Sequence, residues 1–80
     1  MMNEEIKEKV FAIVERVFNV NSKQLTLEMK KEDFETWDSI GNLQFVMNLE
    51  SDFGIKLKTA EINNIKGIED CISLIEKHIG

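Results

Sequence analysis

Apolar residues return along this chain at intervals of three and four, and that spacing predicts helices rather than strands. Between Asn3 and Phe18, the residues Ile6, Val10, Ile13, Val14 and Val17 form one stripe, with Phe11 and Phe18 at its margins. Glu5, Lys7, Glu8, Lys9, Glu15 and Arg16 take the opposite side. Asn3 can cap this helix, Glu4 and Glu5 suit its dipole, and Asn19 ends the run. A second helix is expected from Ser39 to Phe53, closed by Gly54 as a left-handed cap. A short third helix, Ala60 to Asn64, follows a Thr59 cap. In the fourth, Ile68 to Ile79, the stripe is Ile68, Ile72, Ile75 and Ile79, with Cys71 and Leu74 beside it.

Val20 to Thr36 is long for a connection, and such loops have a task or an anchor. Leu25, Leu27, Met29 and Phe34 are too apolar for a free linker, so they should be pinned over the core around a short helical turn. Lys30-Lys31-Glu32-Asp33 is most simply solvated surface. Ile55 and Leu57 alternate with Lys56 and Lys58, but no second run offers a convincing strand partner. The fold class is therefore all-α. It is a small four-helix bundle, three main helices plus one short one, with a long loop between the first and second.

The second helix is more apolar than its neighbours. At about 100° per residue its apolar positions spread over roughly 220°, more than a small domain buries of one surface helix. Phe45, Val46, Leu49 and Phe53 should face the core. Ile40, Leu43 and Met47 form a second stripe, bordered by Gln44, Glu50 and Ser51. That stripe either packs under the long loop or stays exposed for a partner.

Composition narrows the function by exclusion. The 80 residues, without proline and with four glycines, make one domain spanning 1–80, with no linker. A net charge of −5 disfavours a phosphate backbone as partner, so no nucleic acid is expected. No segment approaches the roughly 20 apolar residues of a membrane span, so no membrane insertion is expected. The start, Met1-Met2-Asn3-Glu4-Glu5, is acidic where a signal peptide is basic then apolar, which favours the cytoplasm. Cys71 is the single cysteine and is expected to be a small buried hydrophobe. His78 is the single histidine, in a last helical turn where a cation suits the dipole. A metal site and a catalytic constellation are not expected: Ser39 has no histidine near it and no Gly-x-Ser-x-Gly context. Glu32 and Asp33 are merely adjacent, no glycine loop cradles phosphate, and Asp52-Phe53-Gly54 lacks a calcium loop's alternating ligands. The chain is not read as an enzyme.

Ser39 nevertheless draws attention, because in Trp37-Asp38-Ser39-Ile40 it stands where a loop becomes a helix. Asp38 and Ser39 are both good cap formers, and a phosphate on the serine would meet the positive end of the dipole. Asp38-Ser39-Ile40, followed by a helix ending Leu49-Glu50-Ser51-Asp52-Phe53-Gly54-Ile55, resembles the acyl carrier protein family, the phosphopantetheine-binding carriers, in a freestanding Trp-Asp-Ser form. The resemblance spans the chain in length and helix order. It implies that Ser39 receives 4′-phosphopantetheine from coenzyme A, through a phosphodiester made by a separate magnesium-dependent phosphopantetheinyl transferase. The arm's thiol would hold an acyl or aminoacyl group as a thioester. The partners implied are that transferase, loading ligases and synthases of a biosynthetic pathway, met by a monomer. Asp38 matches the family's acidic residue, helping to present the serine and also capping the helix. Partners would read Ile40, Leu43, Met47 and Glu50. Ser22, Ser51 and Ser73, like Thr26, Thr36 and Thr59, lack a preceding aspartate. The alternative is a helical interaction module that never receives the arm.

Several residues depart from the family pattern. Ile40 replaces leucine, Trp37 a small residue, Thr36 a frequent glycine, and Gly67 a common Ser/Thr cap at small loss. Gly41, Asn42, Gln44 and Asn48 are expected at surface positions that carry carboxylates in such carriers. Glu50 and Asp52 remain late in the helix. Charge steering along this face should be weak.

Overall fold

Val10, Ile13 and Val14 are wholly removed from solvent, and their stripe on α1 (Asn3–Phe18) is the wall against which the other main helices pack. The structure, a computed structural model, describes residues 3–79. The cap expected of the Asn3 side chain lies outside the described residues. α2 (Ser39–Phe53) and α4 (Ile68–Ile79) both pack on α1, and the short α3 (Thr59–Asn63) bridges between them in sequence. The bundle is all-α, as the periodicity requires, and no strand occurs among the described residues.

The end of α1 departs from its expected stripe. Phe18 is buried at 3% exposure, while Val17 is half-buried at the margin. Rings from outside the helix cause the exchange, since Phe34, Trp37 and Phe45 all approach Phe18 within 5.9 Å between centroids. Asn19 then turns the chain with φ 56°, a left-handed value that asparagine tolerates.

The long connection is anchored as its apolar content demands. Leu25 and Phe34 are buried, and Leu27 and Met29 pack half-buried on the core. Two single 3₁₀ turns shape it, Ser22–Gln24 and Lys31–Asp33. Lys30 to Asp33 is more than solvated surface. The Lys31 amide donates to the Lys66 carbonyl at 3.0 Å, and the Ile68 amide to that of Met29 at 3.1 Å. This contact explains Gly67, where a Cβ would stand 2.5 Å from the Met29 carbonyl oxygen. Gly67 is thus a steric requirement as well as a position without a capping side chain. Asp70 Oδ2 accepts from the Lys66 amide at 2.8 Å and ties the chain before α4 to its first turn.

α3 begins one residue earlier than expected, and Thr59 lies inside it. Glu61 supplies the cap by accepting the Lys58 amide at 2.9 Å. Its two carboxylate oxygens also lie 3.1 and 3.0 Å from His78 Nε2, tying α3 to the end of α4. The Lys58 amide first, and His78 second, hold the Glu61 carboxyl below the usual carboxylate range. His78 therefore pairs with a side chain as well as with a helix end. In α4, Ile68, Cys71, Ile72 and Ile75 are buried while Leu74 and Ile79 are half-buried. Burial pushes the Cys71 thiol well up, so it stays protonated and packs as a hydrophobe.

On α2, Phe45, Val46 and Leu49 are buried, whereas Phe53 is only half-buried. Phe53 is the last residue of α2, and the Lys9 ammonium lies 5.4 Å from its ring centroid, at the margin of the core. Gly54 closes the helix with φ 63°. Truncating fully buried Phe45 should cost about 3–5 kcal/mol, comparable to much of a small domain's stability. Phe45→Ala is expected to be largely unfolded in urea titrations, and Phe53→Ala to keep a cooperative transition. Equal losses from the two would contradict this division of α2.

Candidate functional site

The junction from loop to α2 is built on Trp37, which is 5% exposed. Its indole stacks on Phe18 at 4.8 Å and 21°, meets Phe45 edge-on at 5.1 Å and lies 5.4 Å from Phe34. Sequence periodicity misses this residue because it belongs to no helix. The signal that could have found it is its place directly before the cap, where an apolar side chain commonly staples a helix start. A buried indole N–H needs an acceptor, and Asn42 Oδ1 provides one at 2.9 Å.

Asp38 is the N-cap in extended conformation, and its Oδ1 accepts from the Gly41 amide at 2.8 Å. The Asn42 amide donates to the Asp38 carbonyl at 2.8 Å. Thr36 Oγ1 donates to the carbonyl of Phe18 at 3.2 Å, fastening the loop to the end of α1. Gly41 is buried, contrary to a surface position, because the Thr36 carbonyl crosses directly above it. Asn42 and Asn48 are half-buried for related reasons: each amide oxygen holds a donor from another segment.

Ser39 is the first residue of α2 and is exposed. Its hydroxyl makes no hydrogen bond among the described residues, nor do the amides of Ser39 and Ile40. His78 is engaged by Glu61, so the serine has no imidazole to activate it. Ser39 shares a shallow groove with Lys31, Trp37, Asp38, Asn42 and Asn63. The site can present a hydroxyl and receive an anion at it, and the carboxylate beside it, Asp38, is engaged by the Gly41 amide.

The strip beside it is uncovered. Ile40, Leu43 and Met47 are 70%, 59% and 60% exposed, so the long loop does not pack on them. Its charged border is largely occupied within the protein. Glu50 Oε2 accepts from the Leu57 amide at 2.8 Å, which fixes the turn after α2. Arg16 Nη2 donates to Asn48 Oδ1 at 2.9 Å and lies 3.5 Å from Asp52 Oδ2. No group of three or more metal-ligating side chains occurs among the described residues, and no helix is long and apolar enough to cross a membrane.

Known proteins are similar to this chain in sequence along their length. Over 77 residues the chain is 38% identical to an acyl carrier protein of Thermotoga maritima, covering 96% of this chain and 95% of that one. The chain belongs to the acyl carrier protein family. It is also 30% identical to an acyl carrier protein of Chlorobium phaeobacteroides, covering 96% of this chain and 99% of the relative. A third acyl carrier protein, from Petrotoga mobilis, is 28% identical, with coverage of 99% and 93%. No family model matches the chain. Acyl carrier proteins are carriers without catalysis of their own, so this chain is not an enzyme.

Gly41 offers a test of the junction. In an ordinary helix interior, Gly→Ala stabilises by about 1 kcal/mol. Here the added Cβ would sit 2.1 Å from the Thr36 carbonyl oxygen, and backbone would have to move. Gly41→Ala is expected to destabilise by about 1–3 kcal/mol. Thermal melts check the sign; a raised Tm would show that Thr36 yields freely.

Proposed function

We propose that this chain carries an acyl or aminoacyl group as a thioester on a 4′-phosphopantetheine arm attached to Ser39, and delivers it to enzymes of a biosynthetic pathway. The observation that carries this reading is the exposed, unbonded hydroxyl of Ser39 at the first residue of α2, in the only Asp-Ser pair of the chain. The surroundings fit a phosphodiester. The free Ser39 and Ile40 amides and the helix dipole favour an anion there, and Lys31 lines the same groove. Asp38 holds the first turn in shape through Gly41 and so presents the serine.

Attachment requires the Ser39 oxygen to bond to a phosphorus of coenzyme A held by the phosphopantetheinyl transferase. The bond from that phosphorus to the nucleotide part of coenzyme A breaks, and the hydroxyl proton passes to a base of the transferase. The chain's part is to offer the hydroxyl. The arm, once bound, supplies a thiol for thioester formation with a cargo chosen by loading ligases and synthases. Monomeric work in the cytoplasm suits this role, and the Trp37-Asp38-Ser39 sequence suits a freestanding carrier of a specialised pathway.

Ser39→Ala should fold as the parent does, since the hydroxyl bonds to nothing. Intact-mass spectrometry after incubation with coenzyme A and a broad-specificity transferase should show a gain for the parent and none for the variant. A modified peptide containing Ser22, Ser51 or Ser73 would move the site. A parent that gains no mass would favour the interaction module instead.

Docking is proposed to run along Ile40, Leu43 and Met47, with Glu50 at the border. Burying a Leu or Met side chain contributes roughly 1.5–3 kcal/mol. An exposed ion pair contributes about 0–1 kcal/mol and is screened by salt. Leu43→Ala and Met47→Ala should therefore weaken binding to the transferase more than Glu50→Gln, which keeps an oxygen for the Leu57 amide. Calorimetric titration at low and high salt measures this. A steep salt dependence, or a dominant effect of Glu50→Gln, would assign docking to charge.

A further inference from the structure

Trp37 and Asn42 occupy the two positions that flank a helix start in a staple: one residue before the cap Asp38, and four residues after it. Such staples usually join two apolar side chains. Here the contact is a hydrogen bond of 2.9 Å from the indole N–H to the asparagine amide oxygen. The indole itself is held by the rings of Phe18 at the end of α1, Phe34 in the same loop and Phe45 on the core side of α2. The bond therefore spans Asp38 and Ser39 and joins the first turn of α2 to the aromatic core. Packing does not demand this polar pair, because a phenylalanine would fill much of the same stack without needing an acceptor. Asparagine is also a poor residue for a helix interior.

Asn42 borders the groove that Ser39 lines. At about 100° per residue it lies roughly 130° round α2 from the centre of the Ile40, Leu43 and Met47 strip. A change at Asn42 can thus alter how the serine is held without touching the docking strip. We infer that Trp37 and Asn42 are a positioning pair, which fixes the direction in which Ser39 is offered to the phosphopantetheinyl transferase. The inference rests on the carrier function proposed above. It assigns the pair to the rate of arm attachment and not to the affinity of the encounter.

The test uses the full chain, coenzyme A and a transferase shown to modify the parent. Asn42→Leu removes the acceptor at similar size, Trp37→Phe removes the N–H while keeping a ring in the stack, and Asn42→Asp retains an acceptor oxygen. A misaligned serine should lower kcat by about tenfold in Asn42→Leu and Trp37→Phe. KM for the carrier should stay within about twofold, because the strip is intact. Asn42→Asp should restore kcat. Trp37 is the single tryptophan, so its indole N–H resonance reports the bond directly. Exchange of that proton with solvent should be faster in Asn42→Leu than in the parent and slow again in Asn42→Asp. Should Asn42→Leu fail to fold, Trp37→Phe decides the matter alone. Parent-like kcat in the variants that fold, or a loss confined to KM, would overturn the positioning role while leaving the carrier function standing. A parent that no transferase modifies would overturn both.

Discussion

The stack of Trp37 on Phe18, with centroids 4.8 Å apart, joins three parts of the chain that sequence separates: the end of α1, the close of the long loop and the start of α2. Phe34 and Phe45 complete the cluster, each within 6 Å of a ring from another segment. Aromatic pairs at these distances add to the burial of their area. Their consequence here is positional. With Trp37 fixed, Asp38 has one place to stand, its carboxylate meets the Gly41 amide, and Ser39 becomes the first exposed residue of the helix. The backbone of Thr36 is then so close to α2 that only glycine fits at position 41. For the attachment proposed at Ser39 a rigid platform is an advantage, since each conformation of the junction that misplaces the hydroxyl lowers the productive fraction.

The charges of the chain are arranged differently from what its net value of −5 suggests. On α2, Glu50 at the border of the exposed strip is occupied by the Leu57 amide, and Asp52, on another side of the helix, is opposed by Arg16. The exposed strip itself is the uncharged trio Ile40, Leu43 and Met47, so it offers a partner apolar surface. Such a surface gains its affinity through close packing, which discriminates by shape and acts mainly on the dissociation rate. Electrostatic steering, by contrast, speeds encounter with any basic partner of suitable size. If the strip is the docking face proposed above, it suits a small set of matched partners.

Much of this was legible in the sequence, and what was not has a common cause. The bounds of α1, α2 and α4, the division of α2 into a core side and an exposed strip, and the left-handed Gly54 all follow from period and local chemistry. Those signals act within a few residues. Gly41 was expected at the surface and is buried, and the steric need for glycine at 67 was not visible, because both come from the Thr36 and Met29 carbonyls of other segments. Phe18 moved into the core, and Val17 out to its margin, because rings from the loop and α2 gather there. Trp37 looked like a departure from a motif and is a core residue. The proposed site residue, Ser39, is singled out by its place in the chain, whereas the contact of Asn42 with Trp37 required the fold.

The two halves of α2 make opposite demands, and the structure shows how one helix meets both. Phe45, Val46 and Leu49 must bind it firmly to α1, since a domain of 80 residues buries too little surface to spare any of them. Ile40, Leu43 and Met47 stay exposed, as the proposed docking requires, although their burial would also stabilise the fold. What keeps them free is the path of the long loop. Leu25 and Phe34 are drawn into the core, and the turn at Lys31–Asp33 is fastened to the start of α4 through Lys66 and Met29. The loop is thereby anchored on the core and leaves the strip uncovered. Gly67, which permits that fastening, lies 28 residues from Ser39 in sequence and still helps to leave the surface beside it open.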